Sequence, residues 1–183
     1  MNTFIHLRQF SNYSLLESSF KISEIINFCK NYNIPAIALT DKNNLFGSFE
    51  FSLEAKKNGI QPILGINLDI KVIDGVNATS NIILLVKNLT GYKNVINLMT
   101  KFYNQSDCEI NLNDLKSNSD GLICLSGGVD GPIAKSFLLK NINSATNIFN
   151  KLNLIFKNDF FLEISRLGKK NEKNIENLYL SLA

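Results

Sequence analysis

Side chains that could serve as metal ligands, general acids or general bases are few in this chain and lie far apart in the sequence. His6 is the only histidine among 183 residues, so it cannot form a multi-histidine metal site or a pair of histidine acid–base groups. A structural histidine on a first strand is the favoured interpretation. The carboxylates Glu17, Asp159 and Glu163 show no spacing that pairs them. The sequence alone therefore establishes no paired-acid mechanism.

Two further positions follow apolar runs that are typical of buried strands. Asp41 comes just after the run Ala36–Leu39, and ligands and catalytic groups gather at the carboxyl ends of parallel strands. An aspartate there is equally typical of a turn or a helix cap, so both interpretations stay open. Residues 126–128, Ser-Gly-Gly, match neither the P-loop nor the dinucleotide fingerprint. A tight strand-to-helix turn is favoured over a phosphate cradle.

The cysteines and the net charge exclude several classes of site. Cys29, Cys108 and Cys124 are an odd number without Cys-x-x-Cys or Cys/His spacing. Neither a disulfide framework nor a zinc knuckle is indicated, and we expect buried thiols. A formal net charge of +3 is too small to imply nucleic-acid binding. The short lysine cluster at residues 169–173 is explained equally well by a solvated helix start.

Length and hydropathy indicate an ordinary globular protein. With 183 residues and 45% hydrophobic content, the chain can bury one sizeable core. No run approaches the roughly 18 apolar residues that span a bilayer, and the first residues lack the basic and apolar segments of a signal peptide. We therefore expect a cytoplasmic protein.

The elements that must position these groups are predicted from hydrophobic periodicity. The first helix has Ile22, Ile25, Ile26 and Cys29 on one face and Ser19 or Ser23 as its cap. The predicted strands are 4–7, 36–39, 61–66, 68–72, 81–87, 122–125 and 160–164, and the fourth and fifth are predicted to pair with each other across a turn at 74–75. The predicted helices are 22 to about 31–33, 47–58, 92–103, 133–140, 144–156 and 171–183.

Strands and helices alternate from residue 4 to residue 70. This order predicts parallel strands with helices packed outside them, either as an open doubly wound sheet or as a barrel. The residues alone do not choose between the two.

Several blocks resemble, in order, the PHP (polymerase and histidinol phosphatase) domain that opens the alpha subunits of C-family bacterial replicative polymerases, the DNA polymerase III family. The matching blocks are residues 4–16, 34–41, 44–47, 49–51, 59–65, 84–88, 91–95, 121–128 and 160–164. The resemblance implies an α/β fold, a PHP-type distorted (βα)7-like barrel. It also implies that residues 1–183 form one PHP domain, C-terminally truncated, without the palm, fingers and later polymerase domains.

Active members of this family bind a cluster of metal ions at the carboxyl ends of the strands, and here the resemblance implies a dismantled site. Arg8 and Phe10 stand at the His-x-His pair, Glu17 at the following acid, Asp41 and Lys42 at the Asp-His pair, Asn67 at a glutamate and Leu167 at the last strand's histidine. Protonated Arg and Lys and the phenyl ring cannot bind a divalent cation. We therefore predict no metal ligand, no catalytic residue and no cofactor, with Glu17 and Asp41 neutralised by salt bridges from Arg8 and Lys42.

The function implied by the resemblance is that of a scaffold in DNA replication. The module would support the polymerase, dock the proofreading exonuclease (epsilon) subunit, work with the sliding clamp, and meet DNA only through the full-length enzyme. Mg²⁺ is expected for the absent polymerase domain, and no membrane partner is expected. This chain alone is predicted to be inactive. The alternative is a metal-dependent PHP phosphoesterase or 3'-5' exonuclease that retains activity through an altered site.

Overall fold

The structure, a computed structural model, describes residues 4–72, 79–105, 109–168 and 170–182. Its helices are α1 (Ile22–Asn31), α2 (Ser48–Lys57), α3 (Leu89–Asn104), α4 (Leu112–Ser117), α5 (Pro132–Leu138), α6 (Ile142–Phe156) and α7 (Glu172–Leu182). Its strands are β1 (Ala36–Leu39), β2 (Gln61–Ile70), β3 (Ser80–Val86), β4 (Leu122–Leu125) and β5 (Phe160–Phe161). Within these ranges, no helix is long and apolar enough to cross a membrane.

The strands form one mixed sheet in the order β1-β2-β3-β4-β5. The outer pairs β1/β2 and β4/β5 are parallel, whereas β2/β3 and β3/β4 are antiparallel. The expectation of parallel pairing is therefore confirmed for β1/β2, but the sheet as a whole is mixed. Only residues 71–79 separate β2 from β3, and a parallel crossover needs a dozen or more residues. The predicted turn at 74–75 lies outside the described residues.

Four elements differ from the sequence prediction. Residues 4–7 form no regular strand, although Ala38 N donates to His6 O (2.9 Å) and Thr40 N to Gln9 O (2.8 Å) alongside β1. The last strand is limited to Phe160–Phe161. The stretches 61–66 and 68–72 belong largely to the single strand β2. Helix α4 was not predicted, because six residues are too few to show a helical period.

The helix that opens the fold illustrates why local sequence decides most elements. The predicted apolar face of α1, residues 22, 25, 26 and 29, is buried against α2 and β1. The N-cap is Lys21 rather than Ser19 or Ser23. The first turn is closed by Glu24, whose carboxylate accepts a hydrogen bond from Lys21 N at 2.7 Å. A carboxylate in the first turn also suits the positive end of the helix dipole.

The two faces of the sheet are buried differently. One face of β2 and β3 supplies Ile66, Leu68 and Leu84 to the main core, which helices α3 to α7 cover. The opposite face carries a smaller apolar layer that includes Ile83 and Leu85. This inner layer opens onto a cavity of about 920 Å³, which residues 4–10 and the segment after β5 also line. The seven positions of the dismantled metal site are called the remnant positions, and three of them, Arg8, Phe10 and Leu167, line this cavity.

Candidate functional site

The carboxyl end of β1 and the middle of β2 bring three of the predicted site residues together. An isolated parallel bridge joins Lys42 to Asn67 beyond the regular β1/β2 ladder. Asn67 N donates to Asp41 O at 3.1 Å, and Asn43 N donates to Asn67 O at 2.9 Å. These main-chain bonds place Asp41, Lys42 and Asn67 at one point of the sheet edge, where PHP-type metal ligands were expected.

The carboxylate of Asp41 is buried, with 2% of the residue exposed. Its Oδ1 accepts hydrogen bonds from Ser11 N and Ser14 Oγ, and its Oδ2 accepts one from Ser11 Oγ, all at 2.7 Å. Both carboxylate oxygens therefore already bind donors from the loop that precedes α1. Hydrogen bonds to a charged acceptor are among the strongest that side chains form. The geometry favours the turn interpretation of Asp41 over the ligand interpretation.

Lys42 projects its ammonium group among carboxylates. Its Nζ lies 3.2 Å from Glu17 Oε1 and 4.0 Å from Asp69 Oδ2, so the predicted pairing of Lys42 with Glu17 is present. Burial, the largest single influence, lowers the pKa of Lys42, but attraction to Asp69 and Glu17 outweighs it and leaves the pKa above its ordinary value. The side chain thus stays protonated beside the one exposed carboxylate of the remnant set.

Arg8 does not neutralise Glu17 or Asp41, and that prediction was wrong. Its guanidinium contacts both carboxylate oxygens of Glu163, at 3.2 and 3.4 Å, and stacks 5.7 Å from the centroid of the Phe10 ring. The sequence could not reveal this pair, because 155 residues separate its members. Glu163 is held in turn by its main chain, whose N–H donates to Ser126 Oγ at 2.8 Å.

The last two remnant positions contribute no charged ligand. Asn67 is 2% exposed, and its Oδ1 has no hydrogen-bond donor among the residues described. Leu167 is 76% exposed and lies at the rim of the inner cavity with Arg8 and Phe10. The seven positions therefore divide into a cluster around Lys42 and a second group along the cavity.

The donor set does not fit a PHP-type metal cluster. Within the described ranges, no three His, Cys, Asp or Glu side chains gather into a group that could hold a metal ion. Both oxygens of Asp41 already accept hydrogen bonds, three in all, and Glu17 faces an ammonium group. Phe10 offers no lone pair, and a protonated guanidinium such as Arg8 repels cations. We derive no reaction step through a metal at this position.

The remaining chemical residues occupy structural positions. The His6 ring packs edge-on against Phe4, with centroids 4.9 Å apart. Asp159 pairs with Lys87 Nζ at 2.8 Å. Cys29 and Cys124 are buried free thiols whose pKa values are raised by burial, and Cys108 lies outside the described residues. None of these groups adds a nucleophile or a base to the site.

The glycine-rich segment after β4 forms a tight turn. Gly127 has φ +80°, and a Cβ there would lie 2.1 Å from Asn81 O. Neither condition suits a residue with a side chain. Tyr179 of α7 donates from its hydroxyl to Gly128 O at 2.9 Å and fastens the last helix to this turn. The turn interpretation favoured for residues 126–128 agrees with this geometry.

Curated proteins similar to this chain include DNA polymerase III alpha subunits of several bacteria. The DNA polymerase III subunit alpha of Rickettsia conorii is 39% identical over 98% of this chain, and the same subunit of Borreliella burgdorferi is 41% identical over 92%. The chain spans only about 15–16% of the length of these relatives. A solved amidohydrolase from Chromobacterium violaceum aligns with 55% of this chain and 33% of its own at 19% identity and TM-score 0.45. The PHP domain profile matches residues 6–167, and the chain belongs to the PHP domain family.

Proposed function

We propose that this chain serves as the N-terminal PHP module of a bacterial DNA polymerase III alpha subunit and acts there as a non-catalytic scaffold in DNA replication. The relatives support the assignment to the polymerase branch of the family. The observation that carries the scaffold role is the ion pair of Lys42 with Glu17, beside an Asp41 carboxylate that accepts three hydrogen bonds from Ser11 and Ser14. Cationic side chains occupy positions where a PHP enzyme needs metal ligands.

The finer architecture that we propose is a PHP-type distorted barrel, of which residues 1–183 form one domain. Main-chain bonds between described residues do not close the sheet, whose edges are β1 and β5. Residues 6–9 nevertheless extend the β1 edge, and Glu163 follows β5. The Arg8 guanidinium and the Glu163 carboxylate, 3.2 Å apart, link the segments beside these two edges through a side-chain ion pair. This link, together with the apolar inner layer, supports a barrel interior rather than an open flat sheet.

The partners that we propose follow from the relatives. The module would support the remaining polymerase domains, dock the proofreading epsilon exonuclease, and meet the sliding clamp and DNA as part of the whole enzyme. Mg²⁺ would act in the polymerase domain and not in this module. Cytoplasmic location is part of the same proposal.

The absence of metal-dependent chemistry can be tested directly. The purified chain is incubated with Mn²⁺ or Zn²⁺ and assayed for phosphatase turnover and for 3'-5' degradation of single-stranded DNA. We expect rates equal to the buffer blank, in the wild type and in Asp41→Asn and Glu17→Gln alike. Turnover that both substitutions abolish would establish the alternative, an altered but active phosphoesterase or exonuclease.

The docking role needs a separate experiment. We expect the chain to form a stoichiometric complex with its cognate proofreading exonuclease in sedimentation velocity. Control runs contain the chain alone and the exonuclease alone, so that self-association of either protein is not mistaken for a complex. Absence of a complex at micromolar concentrations would contradict the docking role while leaving the prediction of an inactive metal site intact.

A further inference from the structure

A groove that contains none of the remnant metal positions lies between the end of β2, helix α4 and the C-terminal half of α6. Its volume is about 610 Å³. It shares no lining residue with the inner cavity or with the predicted site. The residues that line it are Lys71, Val72, Asn111, Leu112, Asn113, Lys116, Ser119, Asp120, Lys151, Leu154, Ile155 and Lys157.

The groove has an apolar strip. Val72, Leu112 and Ile155 are half-buried and pack against the main core. Leu154 lies beside Ile155 on α6 and is 75% exposed. A large apolar side chain on the solvent side of an amphipathic helix is ordinary when single, but here it lines the same groove as three others. The strip offers a partner apolar contact area.

Positive charge surrounds this strip. Lys116, Lys151 and Lys157 lie within 4.0 Å of no carboxylate in the described part of the chain, and Lys71 pairs with Glu109 at 2.7 Å. Among the described residues that line the groove, Asp120 is the single acidic one. Like charges gathered around one concave surface repel one another, and their field favours an anionic partner.

We propose that this groove binds an acidic amphipathic protein segment. Its leucine-type residues would cover the apolar strip, and its carboxylates would face Lys116, Lys151 and Lys157. The lysines require a partner of negative charge. The apolar strip favours a peptide over a nucleic-acid strand. Proteins bind single-stranded nucleic acid by stacking bases on aromatic rings, and within the described ranges neither an aromatic side chain nor an arginine lines this groove. This site is independent of the proposed scaffold role.

The test uses the whole 183-residue chain and a fluorescent synthetic peptide with leucine on one helical face and glutamate on the other. We expect saturable binding by anisotropy that weakens as salt is added. The charge-reversal variant Lys116→Glu/Lys151→Glu should weaken binding at least about tenfold, because like charges would then oppose each other. Leu154→Ser should also weaken binding, without changing its salt dependence.

A matched control separates the groove from general charge. Lys30→Glu/Lys56→Glu makes the same change of net charge on α1 and α2, outside the groove, and should leave the affinity within about twofold of the wild type. Circular dichroism checks that each variant is folded, which the exposure of these lysines predicts. Non-saturable binding, equal losses in both double variants, or tighter binding of a DNA oligonucleotide that the groove variant weakens would each overturn the proposal.

Discussion

Asp41 provides a sharp test of the interpretation that the old metal site has become a structural support. Its buried carboxylate accepts three hydrogen bonds of 2.7 Å from Ser11 and Ser14. A hydrogen bond to a charged group contributes about 1.5–3 kcal/mol, and losses at one site are not additive. We therefore expect Asp41→Ala to lower the free energy of unfolding by about 4 kcal/mol, a large part of the 5–15 kcal/mol typical of a domain.

Asp41→Asn should cost less. The amide keeps the volume and retains one acceptor oxygen, which can still bind Ser11 N and Ser14 Oγ. The second oxygen becomes an NH₂ group, so one charge-assisted bond is lost and the expected cost is about 1–2 kcal/mol. Both values are measured by urea denaturation at neutral pH, with the slope of the unfolding curve checked for equality between variants.

Two results would refute this account. An Asp41→Ala variant within about 0.5 kcal/mol of the wild type would mean that the three bonds do not hold the loop. A rise in the melting temperature of the wild type on adding Mn²⁺ or Zn²⁺, absent in Asp41→Asn, would mean that the carboxylate binds metal, because a ligand of the native state stabilises it.

Three further predictions concern the frame around the site. Burial raises the pKa of Tyr179 to about 12 from 10.0, so the native state resists ionisation that the unfolded chain permits. Stability is therefore retained below pH 10 and falls by about 2–3 kcal/mol as pH rises from 10 towards 12. In Tyr179→Phe the free energy of unfolding should fall less steeply between pH 10 and pH 12 than in the wild type. Identical slopes would contradict the raised pKa of Tyr179. A double-mutant cycle of Arg8→Ala and Glu163→Ala should give a coupling energy of about 1 kcal/mol, since the pair is only partly buried, and zero coupling would mean that it does not join the sheet edges. Gly91→Ala should lower the free energy of unfolding by at least about 2 kcal/mol, because a Cβ would lie 2.0 Å from Gly121 O. An unchanged melting temperature would mean that α3 can move away from Gly121 at little cost.

Local pattern was sufficient for most of the elements. The apolar face of α1, the buried run of β1 and the periodic stretches of α3 and α6 lie where hydrophobic spacing predicts them, because burial of one face selects helix or strand along a short stretch. Ordered blocks across the chain were also sufficient to indicate the PHP family, which the match to residues 6–167 confirms.

The sequence by itself determined which chemical groups are present and which are missing: one histidine, a lysine after Asp41 and an arginine at position 8. Only the tertiary structure decided their partners. Arg8 meets Glu163 at the inner cavity, and Asp41 meets the serines of a loop about 30 residues away. The predicted pairing of 68–72 with 81–87 is confirmed for β2 and β3, whereas the antiparallel pairing of β3 with β4 was decided by the tertiary structure, because α3 and α4 lie between these two strands. Such contacts depend on which distant segments the fold brings within a few ångströms, and spacing along the chain carries no record of those distances.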